Sequence, residues 1–310
     1  MKTLLEDFAV RSPIMEDASA VTDFVSIVDI DEFGFPDIEI QDVIDLWNEL
    51  PINKNVWIIE LKDSKHIVGY GFIEESGEDS LYSSAFVHPQ FKGKGIGTSL
   101  LELIDIRAKE IRSIKEKSLK LDNVIPATNT NAINLLESRD YQFNRLYQRM
   151  RIDMDTMPES VSLPQDITIR PYQHELDAVR LHATHQETFK DTRDFSPQPY
   201  DEWIKQKSTA NYDQTLWFVA YAGDELVGFI ICKLFDGEHI YVDRLGVKRP
   251  WRKHGIGLSL INTVFRESYQ RGNKTVLISV DSNSLTKANL LYEQAGFKTV
   301  FKVAAFQKMI

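Results

Sequence analysis

The chain has 310 residues, of which 43% are hydrophobic, and its 36 basic and 46 acidic side chains give a formal net charge of −10. This acidic balance argues against a general nucleic-acid binder, for which a basic face is expected. No apolar run approaches the roughly 20 residues that span a bilayer, and the N-terminus does not resemble a signal peptide. A single cysteine excludes an internal disulfide and suits a reducing compartment. Together these features lead us to expect a cytoplasmic protein that interacts with neither membranes nor nucleic acid.

The first half of the chain alternates predicted strands and helices. Its strands are predicted at residues 7–12, 56–61, 67–73, 81–87 and 119–124, and its helices at 16–28 and 40–50. After the fourth strand, Gly93, Gly95 and Gly97 form a basic glycine turn that opens a helix through Leu100 and Ile104.

The second half repeats this order after a proline-containing linker. Strands are predicted at residues 167–171, 216–222, 226–234, 239–247 and 275–280, and helices at 175–188 and 200–206. Arg11 and Arg170, Val87 and Val247, and Gly95 and Gly255 correspond at separations of 159 or 160 positions, which indicates an internal duplication. The length suits two domains of about 150 residues, predicted at 1–155 and 165–310.

The basic turn of the second half has the character of an anion cradle. Gly255 and Gly257 allow backbone N–H groups to approach a bound group, and the following helix begins with partial positive charge. Arg252, Lys253 and His254 surround the same point. The spacing matches neither a Walker loop nor a dinucleotide fingerprint, but it suits a pyrophosphate.

Two motifs resemble the signatures of the GNAT family of acetyl-CoA-dependent N-acetyltransferases. Arg252-x-x-Gly255-x-Gly257 is similar to the family's pyrophosphate loop. About forty residues later, Ala-x-x-Leu-Tyr-x-x-x-Gly-Phe matches the second signature, and its positions are Ala288, Leu291, Tyr292, Gly296 and Phe297. The tandem arrangement is similar to that of mycothiol synthases, in which the second domain is active.

The resemblance implies an α+β (α/β) chain with two GNAT folds, each a mixed, mostly antiparallel sheet flanked by helices. Acetyl-CoA would lie where the fourth and fifth strands diverge. In the second half the implied cofactor-binding residues are Leu245, Gly246, Val247, Arg252, Lys253, His254, Gly255, Ile256, Gly257 and Asn289. In the first half they are Val87, Lys92, Gly93, Lys94, Gly95, Ile96 and Gly97.

The same resemblance implies direct acetyl transfer to an amine, with Tyr292 protonating the departing thiolate. A phenol with a reference pKa of about 10 can donate to a thiolate whose pKa is near 8.5. The first half has Leu136 at the matching place and Asp140-Tyr141 in place of Gly-Phe. We therefore expect the second half to be catalytic, while the first supports structure, helps to form the acceptor pocket or holds a second cofactor.

The general base is predicted to lie on the strand 239–247. Tyr241, Asp243 and Leu245 share a face by strand alternation, and Asp243 is the better proton acceptor, directly or through water. An ion pair of Asp243 with Arg244 or Arg252 is an equal alternative, and Glu238 is a weaker candidate for the base.

Two other features favour structural roles. His182 and His185 have helical spacing for a metal, but no third ligand is evident, so we expect no metal site. Cys232 lies within an apolar strand and is expected to be a small buried hydrophobic residue.

The predicted reaction is acetylation of an amine on a small molecule. The alternatives are a peptide or protein amine as acceptor, or a non-catalytic acyl-CoA-binding protein. The acceptor pocket is expected at residues 29–37, 191–200 and 298–307, which contain acids, aromatics and prolines without a pattern that identifies the acceptor.

Overall fold

The computed structural model describes residues 7–159, 161, 163–190, 192, 195–209, 211–235, 239–282 and 288–310. It divides the chain into two compact units of similar size. Unit 1 comprises Met1–Leu146 with Phe301–Ile310, and unit 2 comprises Tyr147–Val300. Within the described ranges, no helix is both long and apolar enough to cross a membrane.

Unit 1 is a mixed sheet flanked by helices. Its strands are β1 (Phe8–Arg11), β2 (Val56–Leu61), β3 (Ile67–Glu75), β4 (Ser80–Val87) and β5 (Lys120–Pro126), together with parts of β6 (Gln142–Asp153) and β12 (Lys298–Met309). Its helices are α1 (Ala18–Phe33), α2 (Ile40–Glu49), α3 (Ile52–Asn55), α4 (Ile96–Lys115) and α5 (Thr130–Glu137). The sheet order is β1-β2-β3-β4-β5-β12, in which β4 and β5 are parallel and the other paired strands are antiparallel.

Unit 2 repeats this design. Its strands are β7 (Ile167–Pro171), β8 (Phe218–Ala222), β9 (Glu225–Phe235), β10 (His239–Val247) and β11 (Thr275–Asp281). Its helices are α6 (His174–Phe189), α7 (Tyr200–Gln206), α8 (Ile256–Gln270) and α9 (Ala288–Gln294). The sheet order is β7-β8-β9-β10-β11-β6, and β10 and β11 form the parallel pair. The α+β fold predicted from the sequence is confirmed in both halves.

Each unit takes its last strand from the other half of the sequence. In unit 1, β12 pairs with β5 from Val303 opposite Pro126 to Met309 opposite Lys120. In unit 2, β6 pairs with β11 from Tyr147 opposite Asp281 to Asp153 opposite Thr275. The compact units therefore differ from the contiguous domains 1–155 and 165–310, because the strand that completes each sheet is encoded in the other repeat.

The exchanged strands contribute to the hydrophobic cores. Ala304 and Phe306 of β12 are buried in unit 1 with Leu121 of β5 and Leu136 of α5. Met150 of β6 is fully buried in unit 2, where it packs among residues of β8 to β11 and α8. These side chains are removed from water only when the distant segment has joined its sheet, so we expect folding of each unit to require both halves of the chain.

Candidate functional site

The parallel strands at the centre of unit 2 separate before they end. β10 pairs with β11 only from Ile240 opposite Val276 to Val242 opposite Ile278, although β10 continues to Val247. The remaining backbone groups on that side of β10 therefore face the opening between the strands. Unit 1 shows the same separation, because β4 pairs with β5 only as far as Ser83 opposite Asn123.

The loop that follows β10 forms a concave row of backbone N–H groups. Lys253 and Gly255 adopt left-handed conformations, with φ of +66° and +80°, and α8 begins at Ile256. The first four N–H groups of a helix have no acceptor within it, and alternating backbone conformations of this kind make an anion-binding nest. A Cβ at Gly255 would meet nothing within 4 Å, so space remains above the nest.

Arg252 lies against the strand end. Its Nε donates to the carbonyl oxygen of Val247 at 2.9 Å, and one terminal nitrogen lies 3.5 Å from the carbonyl oxygen of Thr188. These bonds fix the shape of the loop, while Lys253 and His254 are exposed beside it. The loop thus combines a backbone that is fixed by hydrogen bonds with the cationic charge that favours pyrophosphate binding.

Two glycines permit close packing around this loop. A Cβ at Gly257 would lie 3.1 Å from Cδ2 of Leu291, so the loop and α9 are in close contact there. A Cβ at Gly246 would lie 2.6 Å from the ring of Phe229 and 2.7 Å from Oγ1 of Thr188, which only glycine avoids.

Tyr292 is buried on α9, with 6% of its surface exposed, and its ring packs edge-on against Phe297. Burial, together with Tyr241, raises the pKa of Tyr292 above its ordinary value. Within the described part of the chain, no hydrogen bond engages its hydroxyl. A protonated phenol without a protein partner can donate a proton to a ligand. Asn289 is half-buried in the first turn of the same helix.

The corresponding loop in unit 1 has a similar backbone but different partners. Gly93 and Gly95 have φ of +80° and +82°, and α4 begins at Ile96. Lys92 is held by carboxylates of α1, with its Nζ 2.7 Å from both Asp31 and Glu32. These two acids neutralise the cation that stands where the second half has Arg252.

Comparison with known proteins agrees with this geometry. The profile of the Acetyltransferase (GNAT) family matches residues 178–297, and that of an Acetyltransferase (GNAT) domain matches residues 53–143. The chain belongs to the GNAT family. It is an acetyl-CoA-dependent acetyltransferase with two GNAT domains in tandem.

Two relatives cover most of this GNAT chain. Mycothiol acetyltransferase from Thermobispora bispora is 26% identical over 244 residues, which are 76% of this chain and 78% of the relative. N-alpha-acetyltransferase 30 from Xenopus laevis is 27% identical over 250 residues, which are 75% of this chain and 87% of the relative.

Two solved structures also extend over nearly the whole chain. A GCN5-related N-acetyltransferase from Sphaerobacter thermophilus has a TM-score of 0.89 and 26% identity, and the match covers 99% of this chain and 97% of that one. A tandem GNAT protein from the clavulanic acid biosynthesis pathway has a TM-score of 0.72 with 11% identity and covers 98% of both chains, which shows the fold alone.

Asp243 lies in a β-bulge, so the prediction that Tyr241, Asp243 and Leu245 share one face of β10 is partly wrong. Val242 lies opposite Cys232 and Arg244 opposite Ile231, so Asp243 is an extra residue with no partner across the ladder. Leu245 consequently packs against the core formed with α8, whereas Asp243 contacts Lys207 at the end of α7. Strand alternation failed here because a bulge shifts the side chains that follow it.

The carboxylate of Asp243 is held by cations. Oδ2 accepts from Lys207 Nζ at 2.6 Å, and Oδ1 lies 3.3 Å from Arg244. Burial opposes ionisation, but Arg244 and Lys207 outweigh it and hold the pKa of Asp243 below its usual range. The predicted ion pair with Arg244 is present, while Arg252 is bonded to carbonyl oxygens instead. A carboxylate with a lowered pKa is a weak proton acceptor.

Beside Asp243, no sequence pattern indicated Lys207 or Tyr212, and His185 was indicated only by its metal-ligand spacing. Lys207 is buried and also donates to Tyr212 at 2.7 Å. His185 is buried, and its Nε2 lacks a hydrogen-bond partner in the structure described. Burial, with Arg244 and Lys207, lowers the pKa of His185 to about 3, so the ring is neutral. In the sequence, Lys207 follows an amphipathic helix and has no pattern that would predict its burial. Its burial is therefore seen only in the folded structure.

Other predicted residues have structural surroundings. Nε2 of His182 bonds the carbonyl oxygen of Gln198 at 2.8 Å, and His185 packs against Trp203 and Phe229. Cys232 is fully buried, as predicted, and burial raises the pKa of its thiol. Glu238, residues 283–287 and parts of the predicted acceptor segment 191–200 lie outside the described residues.

Proposed function

We propose that the C-terminal half carries the working active site and transfers an acetyl group directly to the amine of a small molecule. The observation that carries this proposal is the difference between Tyr292 and Leu136 at equivalent places in two otherwise similar folds. Only the tyrosine has a proton to donate. Acetyl-CoA supplies the activated acetyl thioester, and the remaining steps depend on the residues that hold it and its acceptor.

The nest from Arg252 to Gly257 would bind the pyrophosphate, with Lys253 and His254 adding charge. Its preset backbone, the open space above Gly255 and the exposed cations fit that group. Backbone groups from Leu245 to Val247 face the strand opening and would position the pantetheine arm and polarise the carbonyl. Asn289 lies on the adjacent helix and would contribute a polar contact.

We assign Tyr292 as the general acid. Its raised pKa keeps the phenol protonated across the neutral range, and its free hydroxyl can protonate the departing thiolate. Asp243 remains the carboxylate closest to the strand separation along β10. Its ion pairs support a role in positioning Lys207 more than a role as a strong base.

The acceptor class is supported by the relatives. Several matched proteins are named mycothiol acetyltransferases, and they align with about three quarters of this chain. A small-molecule amine is therefore our proposal, with a peptide N-terminal amine as the alternative to be tested beside it. We also propose a cytoplasmic location, because the single cysteine suits a reducing compartment.

We propose that the N-terminal half supports structure without turnover. Val87, Lys92, Gly93, Lys94, Gly95, Ile96 and Gly97 retain the form of a phosphate loop. However, the carboxylates of Asp31 and Glu32 already neutralise Lys92, and Leu136 has no proton to donate.

Calorimetric titration with acetyl-CoA tests this assignment. Gly255→Glu and Gly95→Glu place the same negative side chain in the two loops, where each Cβ would otherwise find open space. We expect Gly255→Glu to abolish binding and Gly95→Glu to leave it intact. Binding that survives Gly255→Glu but not Gly95→Glu would move the site to the N-terminal half, and absence of binding in the unmodified protein would overturn the proposed function.

A further inference from the structure

A cluster of charged and aromatic side chains lies beside the strand separation of unit 2. This acceptor-side cluster consists of Lys207, Tyr212, Lys233, Tyr241, Asp243 and Arg244. It contains three cations and one carboxylate, in a chain whose overall charge is −10. The local excess of positive charge therefore runs against the composition of the protein.

The cluster is built by the register of β9 and β10. Lys233 of β9 lies directly opposite Tyr241 of β10. Tyr241 immediately precedes Val242, the last residue of β10 that pairs with β11. The bulge directs the carboxylate of Asp243 toward the end of α7, where Lys207 donates a hydrogen bond to it. Tyr241 also contributes to the raised pKa of Tyr292, which indicates that the cluster and the candidate acid are close enough to interact.

Lys233 is the cation of the cluster that forms no ion pair in the described ranges, although its charge contributes to the lowered pKa of Asp243. Its Nζ lies 5.2 Å from the ring centre of Tyr241 and 5.9 Å from that of Tyr212. No carboxylate in the described ranges pairs with it, whereas Lys207 and Arg244 share Asp243. The two aromatic rings thus lie near the ammonium group without neutralising its charge, so it can still bind an anion.

The first repeat has the opposite charge at this position. Glu74 lies opposite Tyr82 in β3 and β4, as Lys233 lies opposite Tyr241 in β9 and β10. The shared fold thus tolerates either charge beside the tyrosine, so packing alone does not require a lysine. Near the same cluster, Nε2 of His185 is a buried polar atom that has no hydrogen-bond partner among the residues that the structure describes.

We propose that the amine acceptor carries an anionic group, a carboxylate or a phosphate, and that Lys233 binds it. This inference rests on the proposed acetyl transfer and names the class of acceptor at that site. An anion placed against Lys233 orients the acceptor beside the strand opening. The surrounding cations also disfavour a protonated amine, and direct attack on the thioester needs the neutral amine.

Matched acceptor pairs test the proposal. In two pairs, β-alanine and its amide, and glucosamine 6-phosphate and glucosamine, only the first member carries an anionic group. That group is a carboxylate in one pair and a phosphate in the other, so the pairs separate carboxylate from phosphate. Turnover is followed by release of free CoA thiol and by the mass of the acetylated product. We expect an anionic member to be acetylated with a KM at least about tenfold below that of its partner.

Lys233→Met removes the charge and keeps the apolar stem, while Lys233→Arg keeps the charge. Lys205→Met is the matched control, because Lys205 is exposed on α7. We expect Lys233→Met to raise the KM of the anionic acceptor about tenfold to a hundredfold, with acetyl-CoA affinity unchanged. Lys233→Arg should restore most of the loss, and Lys205→Met should have no effect.

The outcomes separate this inference from the proposed function. Preference for the uncharged members, or equal loss for both members in Lys233→Met, overturns the anionic acceptor while acetyl transfer stands. If no compound is acetylated, the same pairs are titrated into protein loaded with acetyl-CoA. Binding of anionic members that disappears in Lys233→Met then supports the anion site, and its absence overturns it.

Discussion

Tyr292 and Leu136 occupy the same place in the duplicated fold, 156 positions apart, and both side chains are buried on a short helix. The two helices pack in comparable cores, so the difference between them is chemical. One half has a phenol on this helix, and the other has an aliphatic side chain at the equivalent position. This contrast provides a direct test of which half works.

We expect Tyr292→Phe to lower kcat by about 10²-fold to 10⁴-fold, because it removes only the proton donor. Leu136→Met, a change of similar volume in the other half, should leave kcat within about twofold. The measurement is release of CoA thiol with an active acceptor, and calorimetry should show unchanged acetyl-CoA affinity. Equal and negligible effects of both changes would favour a non-catalytic binding protein.

The exchanged strand predicts that a residue near the C-terminus stabilises the N-terminal unit. Phe306 is 2% exposed in the core of unit 1. Phe306→Ala should destabilise that unit by about 3 to 5 kcal/mol because it leaves a cavity. Hydrogen exchange should show lost protection in Lys120–Pro126, the strand that pairs with β12.

Val300→Ala is the control for this change, because Val300 lies in the same strand and is 40% exposed. It should alter stability by less than about 0.5 kcal/mol. If Phe306→Ala reduced protection in unit 2 and left β5 protected, the strand assignment would be wrong.

A buried carboxylate sets the pH dependence of unit 2. Asp177 is fully buried and accepts two hydrogen bonds of 2.7 Å from Arg170. Burial opposes its charge, but Arg170, the Gln173 N–H and Tyr221 hold its pKa below the usual range. The native state therefore binds the proton less readily than the unfolded chain, and the stabilisation is complete above the unfolded pKa of about 3.9.

We expect Asp177→Asn to cost about 3 kcal/mol at pH 7, since it leaves Arg170 without its partner. The difference from the unmodified protein should shrink as the pH falls below about 4 and through the native pKa. Urea unfolding at a series of pH values measures it. A difference that stays constant down to pH 2 would show that the ion pair is not its source.

The sequence predicted most of the fold because local patterns determine strands, helices and the glycine loop. The neighbouring strands predicted at 216–222 and 226–234, and the helix that follows the glycine turn at Gly255, come from local patterns, and both are confirmed. The Asp243 bulge, the strand exchange and the burial of Lys207 were not predictable in this way, since each depends on pairing between distant segments. The roles of the site residues remain predictions.

At Lys253, in the loop before α8, the contribution of backbone conformation can be measured separately from the contribution of charge. Lys253 has φ of +66°, where unit 1 has Gly93 at +80°. Lys253→Gly should raise the free energy of unfolding by about 0.5 to 1 kcal/mol, because glycine adopts this left-handed conformation without strain. Lys253→Ala should leave the free energy of unfolding unchanged, because alanine keeps the Cβ that causes the strain. Both should weaken acetyl-CoA binding equally, by a few-fold at low salt, because both remove one cation. Calorimetry at two salt concentrations and urea unfolding provide the data; a much larger affinity loss in Lys253→Gly would show that the lysine backbone conformation itself holds the nest.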